Sequence, residues 1–335
     1  MNTKPHQILD NYEYAKYSCN SASEIMSKLR DFGVAILPNV LNMDEIQSMR
    51  NGMWDYLEWI TADFPQPIRR DLPSSWKELR QLYPKHSMLI QQWSVGHAQF
   101  IWDLRQNPKI ANIFSLIWNV PMENLITSFD GASFHMPPET TGSGWFRGKS
   151  WLHVDQSYQR NGFECIQSWI TAYDVHPGDA TLTFLEGSHD KHEKFRDRFH
   201  ITDKSDWFKL ETDEHYDFYV KEHGCQQKYI QCPAGSMVFW DSRTIHCGQE
   251  AIRERSQPNM RCVAYICMTP RSKATKKILE KKQKAYNDMR TTSHWPHKPK
   301  LFPLVPRTYG QPLPTVRSLP IAQLSPLGLR LAGFD

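Results

Sequence analysis

The chain has 335 residues, 40% hydrophobic, 23% charged and 12% aromatic, which is enough to bury a large core and excludes a collagen-like or disordered class. Forty Lys and Arg against 36 Asp and Glu leave a formal charge of +4, which permits acidic ligands without demanding nucleic acid. No stretch approaches about 18 uninterrupted apolar residues, and MNTKPHQILDNYEYAKYS lacks the apolar run of a secretory signal, so an intracellular, cytoplasmic protein without a membrane span is expected.

The first 60 residues read as helical with one strand inserted. Ser21 and Glu24 stand at capping-box spacing before a short helix that ends near Gly33, and GVAILPNV follows as a strand. Asn42 is placed to cap the next helix, where Ile46, Met49, Met53, Tyr56 and Ile60 recur at three- and four-residue steps. Residues 61–95 read as irregular, and Asn107-Pro108 opens a helix over 108–118 with proline in its first turn.

From Leu125 the texture changes to short β-like runs separated by turn signals: LITSFDGASFHM, SWLHVDQ, CIQSWITAYDV, TLTFLEG, KYIQCP, SMVFWDS and RCVAYICM. Such a series predicts a sandwich or barrel. The fold expected is mainly β with helical additions (α+β). Its core over 125–270 is a double-stranded β-helix of jelly-roll or cupin type, with the helices of 1–124 packed on one sheet. The charged, aromatic stretch 190–223, within an insertion over 190–230, is either a solvated excursion or a lid. A basic helix around 272–289 and a proline-rich tail from Trp295 make up the extension 271–335. Its Arg271, Lys273, Lys276, Lys277, Lys281, Lys282 and Lys284 form either a solvated helix face or a site for phosphate, coenzyme A or RNA. Seven cysteines with no C-x-x-C pair, several in apolar segments, read as buried reduced thiols rather than disulfides or a zinc site.

Residues i and i+2 of a strand share a side, so His153 and Asp155 in SWLHVDQ project together as a neutral nitrogen and an anionic oxygen donor. An H-x-D triplet alone is common. His246, 93 residues on at the end of the apolar run in CPAGSMVFWDSRTIHCG, adds weight, because a jelly roll brings distant strands together. Two histidines and one carboxylate on one face leave three positions of an octahedral Fe(II) open for a bidentate cosubstrate and O₂. Arg261, 15 residues further, opens RCVAYICM, and an arginine inside an apolar barrel calls for a carboxylate partner; Arg253 and Arg255 are rivals for that role.

These segments resemble the phytanoyl-CoA dioxygenase family of Fe(II)/2-oxoglutarate oxygenases. The resemblance rests on LHVDQ, CIQSWITAYDVHPGDATLTFLEGSH, PAGSMVFWDSRTIHCG and Arg261, with DFGVAILPNVLNMDEI at the front, and covers about residues 30–270. It implies His153, Asp155 and His246 as iron ligands, Arg261 as the 2-oxoglutarate anchor and Trp169 as lining of the cosubstrate pocket. It also implies hydroxylation of a small-molecule substrate, with succinate and CO₂ as co-products. The carboxylate at 155 favours hydroxylation over halogenation. The alternatives are a non-catalytic jelly-roll binding protein and an interaction module using the basic helix. His135 reads as a strand or loop histidine, Gln156 and Ser157 as substrate-orienting or merely solvated, and Ser188 and His189 as turn chemistry.

Overall fold

The computed structural model describes residues 8–335, so the part of the N-terminal reading that falls on residues 1–7 lies outside it. Short runs of β-branched and aromatic residues pair into two six-stranded sheets. The first runs Tyr12–Glu13 (β1), Gln227–Ile230 (β10), Thr181–Leu185 (β8), His246–Gln249 (β12), His153–Val154 (β6) and Phe208–Lys209 (β9) in spatial order. The second runs Val34–Leu37 (β2), Met237–Asp241 (β11), Ile166–Thr171 (β7), Arg261–Tyr265 (β13), Ala132–His135 (β5) and Leu89–Ile90 (β3). Leu125–Thr127 (β4) and Met268–Pro270 (β14) form a separate pair. From β5 to β13 the chain passes back and forth between the two large sheets, which is the winding of a double-stranded β-helix. Trp169, Val238, Trp240 and Val263 from one sheet pack inward against Leu182, Phe184 and Ile230 from the other.

The outer face of the second sheet is covered by helices. Helix α1 (Ile25–Phe32) stops at Gly33, whose φ of 79° is left-handed. Ser21 makes no side-chain cap there, and its hydroxyl meets Ser23 instead. Helix α2 (Met43–Ile60) carries the full capping box: Asn42 accepts from the Glu45 N–H at 2.9 Å, and Glu45 accepts from the Asn42 N–H at 2.8 Å. Its five periodic apolar residues are all buried, and with helix α3 (Pro108–Trp118) they cover Ile170, Met237, Phe239 and Ala264. All seven cysteines are free and buried.

Two expectations need correction. His246 does not close the strand of SMVFWDS but opens the next one. Asp241 ends β11 by accepting from the Arg243 N–H at 2.8 Å and the Thr244 N–H at 2.9 Å, which turns the chain back. The basic helix α5 (Lys276–Asn287) is not merely a solvated face. Lys282 is fully buried and donates to the Thr127 carbonyl at 2.5 Å. Arg271, just before it, holds the carbonyls of Arg330, Gly333 and Phe334 around a last helix, α6 (Pro326–Ala332), which the tail's lack of periodicity conceals.

The insertion is an aromatic cluster rather than a loose loop. Helix α4 (His192–Phe199) sets Phe195 against Tyr158 and Tyr219, while β9 pairs with β6 and so widens the first sheet. Burial pushes His97 down to about 3, and His135, His192 and His297 to about 4. The unfolded chain therefore takes up protons below pH 6.5 that these rings refuse, and stability falls as pH drops from 6.5 towards 4. Burial pushes Asp130 and Glu250 up to about 7, which opposes this, but two groups do not offset four. Since a tenfold difference in proton affinity is worth about 1.4 kcal/mol, a net loss of a few kcal/mol is expected between pH 7 and about 4.5. A urea midpoint that held or rose over that range would contradict it.

Candidate metal and cosubstrate site

Neighbouring strands place residues that face each other in register on one side of a sheet, and His246 of β12 stands opposite His153 of β6. The ring centres are 4.5 Å apart. Asp155 lies one residue beyond β6, where the chain bends, yet its carboxylate returns between the rings. Oδ1 is 3.5 Å from His153 Nε2 and Oδ2 is 3.3 Å from His246 Nε2. One donor atom from each residue falls within 4.8 Å of the others, and all three residues are buried.

The backbone settles which nitrogen of each ring is bare. His153 Nδ1 meets the Trp151 carbonyl at 3.2 Å, and His246 Nδ1 meets the Thr244 carbonyl at 2.9 Å. A carbonyl only accepts, so each Nδ1 carries the proton and each Nε2 presents its lone pair toward Asp155. The Thr244 segment is itself pinned: its hydroxyl donates to the Gly33 carbonyl at 2.9 Å, and the Ile245 N–H donates to Ser188 Oγ at 2.8 Å. Gln167 on β7 donates to Asp155 Oδ2 at 2.9 Å. Burial alone would raise the Asp155 carboxyl, but His153 and His294, when protonated on both nitrogens, hold it well below the usual range. Burial lowers His246, and His153 adds to that against the pull of Asp155. Two neutral imidazoles and one carboxylate, aimed at a common point, suit a divalent transition metal.

Arg261 and Trp169 come from the opposite sheet. Arg261 donates from Nε to Ser133 Oγ at 2.9 Å and from Nη1 to the Ala180 carbonyl at 3.1 Å, and its guanidinium lies 5.2 Å from the Trp169 ring centre. The Trp169 indole N–H is buried and has no acceptor among the described residues. Arg261 is buried and, among the described residues, pairs with no carboxylate. Its rivals differ: Arg255 is held by Glu139 at 2.5 Å and Asp179 at 2.9 Å, while Arg253 is exposed over Trp145. His135 pairs with Arg261 across the ladder but spends Nε2 on the Gly144 carbonyl. Gln156 is fully buried, its amide shared among the Arg160 and Gly162 carbonyls and Ser242, so it braces the turn after Asp155. Ser157 binds its own turn and the Asp203 segment, and His189 meets the Arg30 carbonyl.

Sequence reasoning misses His294. The C-terminal extension folds back through a bridge between Thr292 and Leu301 and seats Trp295 against Cys165 and Cys267. This puts His294 within electrostatic reach of Asp155, His246 and His153, with Nε2 buried and without a hydrogen-bond partner among the described residues. A histidine in a proline-rich tail carries no spacing signal toward site residues that lie 48 (His246) and 141 (His153) positions upstream; only the density of HWPH hints at it.

A family model described as phytanoyl-CoA dioxygenase (PhyH) matches residues 29–253, well over half of the chain. The chain belongs to the phytanoyl-CoA dioxygenase family. Its chemistry is that of the Fe(II)- and 2-oxoglutarate-dependent enzymes, and Fe(II), 2-oxoglutarate and O₂ are the cofactors of that class. The chain is 25% identical over 212 residues to Ava biosynthesis cluster protein O of Aspergillus versicolor, covering 62% of this chain and 66% of that one, just under two thirds of the relative's length. Among solved structures it is similar to the hypothetical protein JW0805 of Escherichia coli, with a TM-score of 0.56 and 14% identity over 93% of this chain and 81% of that one. It is also similar to GlcNAc Inducible Gene 2 product GIG2 of Candida albicans, with a TM-score of 0.52 and 12% identity over 85% and 73% of the respective chains. At such identities the likeness is one of fold. No helix of the described residues is long and apolar enough to cross a membrane.

Proposed function

We propose that this family member hydroxylates a C–H bond of a small-molecule substrate. The substrate and 2-oxoglutarate react with O₂ to give the alcohol, succinate and CO₂. His153, Asp155 and His246 would hold Fe(II), and Arg261 would bind the distal carboxylate of 2-oxoglutarate over Trp169. The observation that carries this reading is the pair of Nδ1–H to carbonyl bonds that bares both Nε2 atoms around Asp155. When bound, the metal supplies oxidative chemistry with O₂ and the keto acid.

The protein's part is to position and to exclude water. Trp151 stacks on the His153 ring at 4.9 Å and fixes its plane, and Gln167 keeps the Asp155 carboxylate turned toward the two imidazoles. The apolar interior around Val238, Trp240 and Val263 keeps solvent from the reacting centre. Arg261, already oriented by Ser133 and Ala180, needs little rearrangement to take a carboxylate in bidentate fashion. His294, on the C-terminal side, offers a hydrogen-bonding nitrogen to substrate.

The test is an anaerobic titration with Fe(II) and then 2-oxoglutarate, monitored for the weak visible charge-transfer band of the chelate. A saturable band at one equivalent of metal is expected. Its absence at any concentration would return the protein to a binding role without catalysis.

A further inference from the structure

Two indole rings flank His153. Trp151 lies flat on it at 4.9 Å and carries His86 stacked at 3.9 Å, so the two histidines cover its faces, and its N–H goes to the Gly248 carbonyl at 2.8 Å. Trp207 is different. It stands 5.8 Å from the His153 ring, tilted by 35°, and is 52% exposed. Among the described residues its ring meets no other aromatic ring and no cation, and its N–H has no acceptor. Single exposed aromatics are ordinary on a protein surface. This one is fixed beside a candidate metal ligand, because the next residue, Phe208, pairs with Val154 between β9 and β6.

His294 arrives from the other end of the chain. Its Nε2 is buried without a hydrogen-bond partner among the described residues, and its ring lies within electrostatic reach of Asp206 as well as of the triad. Arg160, on the turn after Asp155, ties the two together. It pairs with Asp206, next to Trp207, and sets its guanidinium 4.9 Å from the ring centre of Trp295, next to His294. Asp206 also accepts from the Ser157 N–H at 3.3 Å. Asp206 and Glu164, the latter at 2.8 Å, balance the Arg160 charge, so this clamp holds no excess cation for an anionic ligand. An indole with an open face and a nitrogen without a partner are thus fastened to one turn, the first from the insertion and the second from the C-terminal extension.

We infer that Trp207 and His294 determine substrate specificity: the open face of Trp207 takes a planar ring, and His294 Nε2 makes a hydrogen bond with a polar group on that ring. That the ring belongs to the substrate rests on the oxygenase reading above; the ring site itself does not. A rigid, flat indole held by its own backbone favours a flat partner, and stacking of two aromatic rings is worth roughly two- to tenfold in binding beyond the area it covers. A buried nitrogen left without a partner is costly, so a ligand that meets it binds better than one of the same shape that does not. His294 lies beyond the family match at 29–253, so the matched segment does not contain this half of the site.

The experiment follows phenol by proton NMR on the full chain with 2-oxoglutarate and Mn(II), a paramagnetic stand-in for Fe(II), against Zn(II) as the diamagnetic reference. Toluene has the same ring without the hydroxyl, and cyclohexanol has the hydroxyl without the planar ring. Expected is rapid Mn(II)-dependent relaxation of the phenol ring protons, falling about fivefold or more in Trp207→Ala and in His294→Ala. Thermal midpoints serve as the folding check, and Trp207→Phe should restore most of the effect. Toluene should depend on Trp207 but not on His294, a split that a merely structural role for His294 would not give. With Mn(II) bound, phenol relaxation that is absent in wild type, or that persists in either folded variant, would overturn the pocket, as would equal relaxation of cyclohexanol. Equal loss of toluene and phenol in His294→Ala would overturn the hydrogen bond. Relaxation of water reports the metal separately. If water shows no bound Mn(II) while saturation-transfer contacts of phenol still depend on Trp207 and His294, the oxygenase reading falls and the ring site stands.

Discussion

Asp155→Ala is expected to abolish the Fe(II)·2-oxoglutarate band and to lower metal affinity on the order of 100-fold or more, as loss of a direct ligand should exceed the effect of losing an outer-shell partner. The carboxylate is the one anionic donor of the three and sits 3.5 and 3.3 Å from the two bare nitrogens. Without it, two neutral imidazoles remain, and nothing balances a divalent charge in a buried site. The fold should survive, because Asp155 lies past the end of β6 and its one neutral hydrogen-bond partner is Gln167. Asp155→Asn keeps the shape but not the charge, so it should fail nearly as badly. His294→Ala is the contrasting control: His294 lies outside the three-donor group and its loss should leave the band in place. A band of normal intensity in folded Asp155→Ala would remove the triad assignment.

The parts of this arrangement that are local in sequence are legible there. Asn42 with Glu45, and Asn107 with Pro108, mark helix starts because capping is decided within four residues. The H-x-D triplet and a distant histidine mark the metal site because strand geometry puts i and i+2 together. What is not legible depends on how the chain is pulled by remote partners. Asp155 shares a side with His153 although only two residues there are strand; Gln167, 12 residues on, turns its carboxylate. Periodicity puts His246 at the wrong end of a strand, because the turn at Asp241 rests on side-chain bonds that periodicity does not register. Lys282 looks like one of many solvated lysines until Thr127 supplies a buried carbonyl for it. His294 reaches the site because nearby parts of the C-terminal extension are tied to the barrel: the Thr292 N–H donates to the Phe129 carbonyl at 2.9 Å and Lys282 donates to the Thr127 carbonyl.

The three arginines offered as cosubstrate anchors now predict opposite phenotypes. Arg261 is buried, bound to a hydroxyl and a carbonyl, and without a carboxylate among the described residues. Removing it takes away a charge that no neighbouring anion needs, so Arg261→Ala should fold with a modest loss of stability. The loss should fall on the cosubstrate: removing one partner of a desolvated charge pair costs about 2 to 5 kcal/mol, which is roughly thirtyfold or more in the 2-oxoglutarate dissociation constant. Metal binding without 2-oxoglutarate should be unchanged. Arg255 is the reverse case. It neutralises Glu139 and Asp179, and Arg255→Ala would strand two acids, one of them buried, at a cost of about 3 to 5 kcal/mol of stability. Arg253 lies exposed on Trp145, and its removal should change neither quantity measurably. Titrating 2-oxoglutarate into the three iron-loaded variants, beside their urea midpoints, separates the roles. If Arg255→Ala loses the cosubstrate while staying stable, and Arg261→Ala binds it normally, the anchor lies on the loop before β13 rather than on the strand.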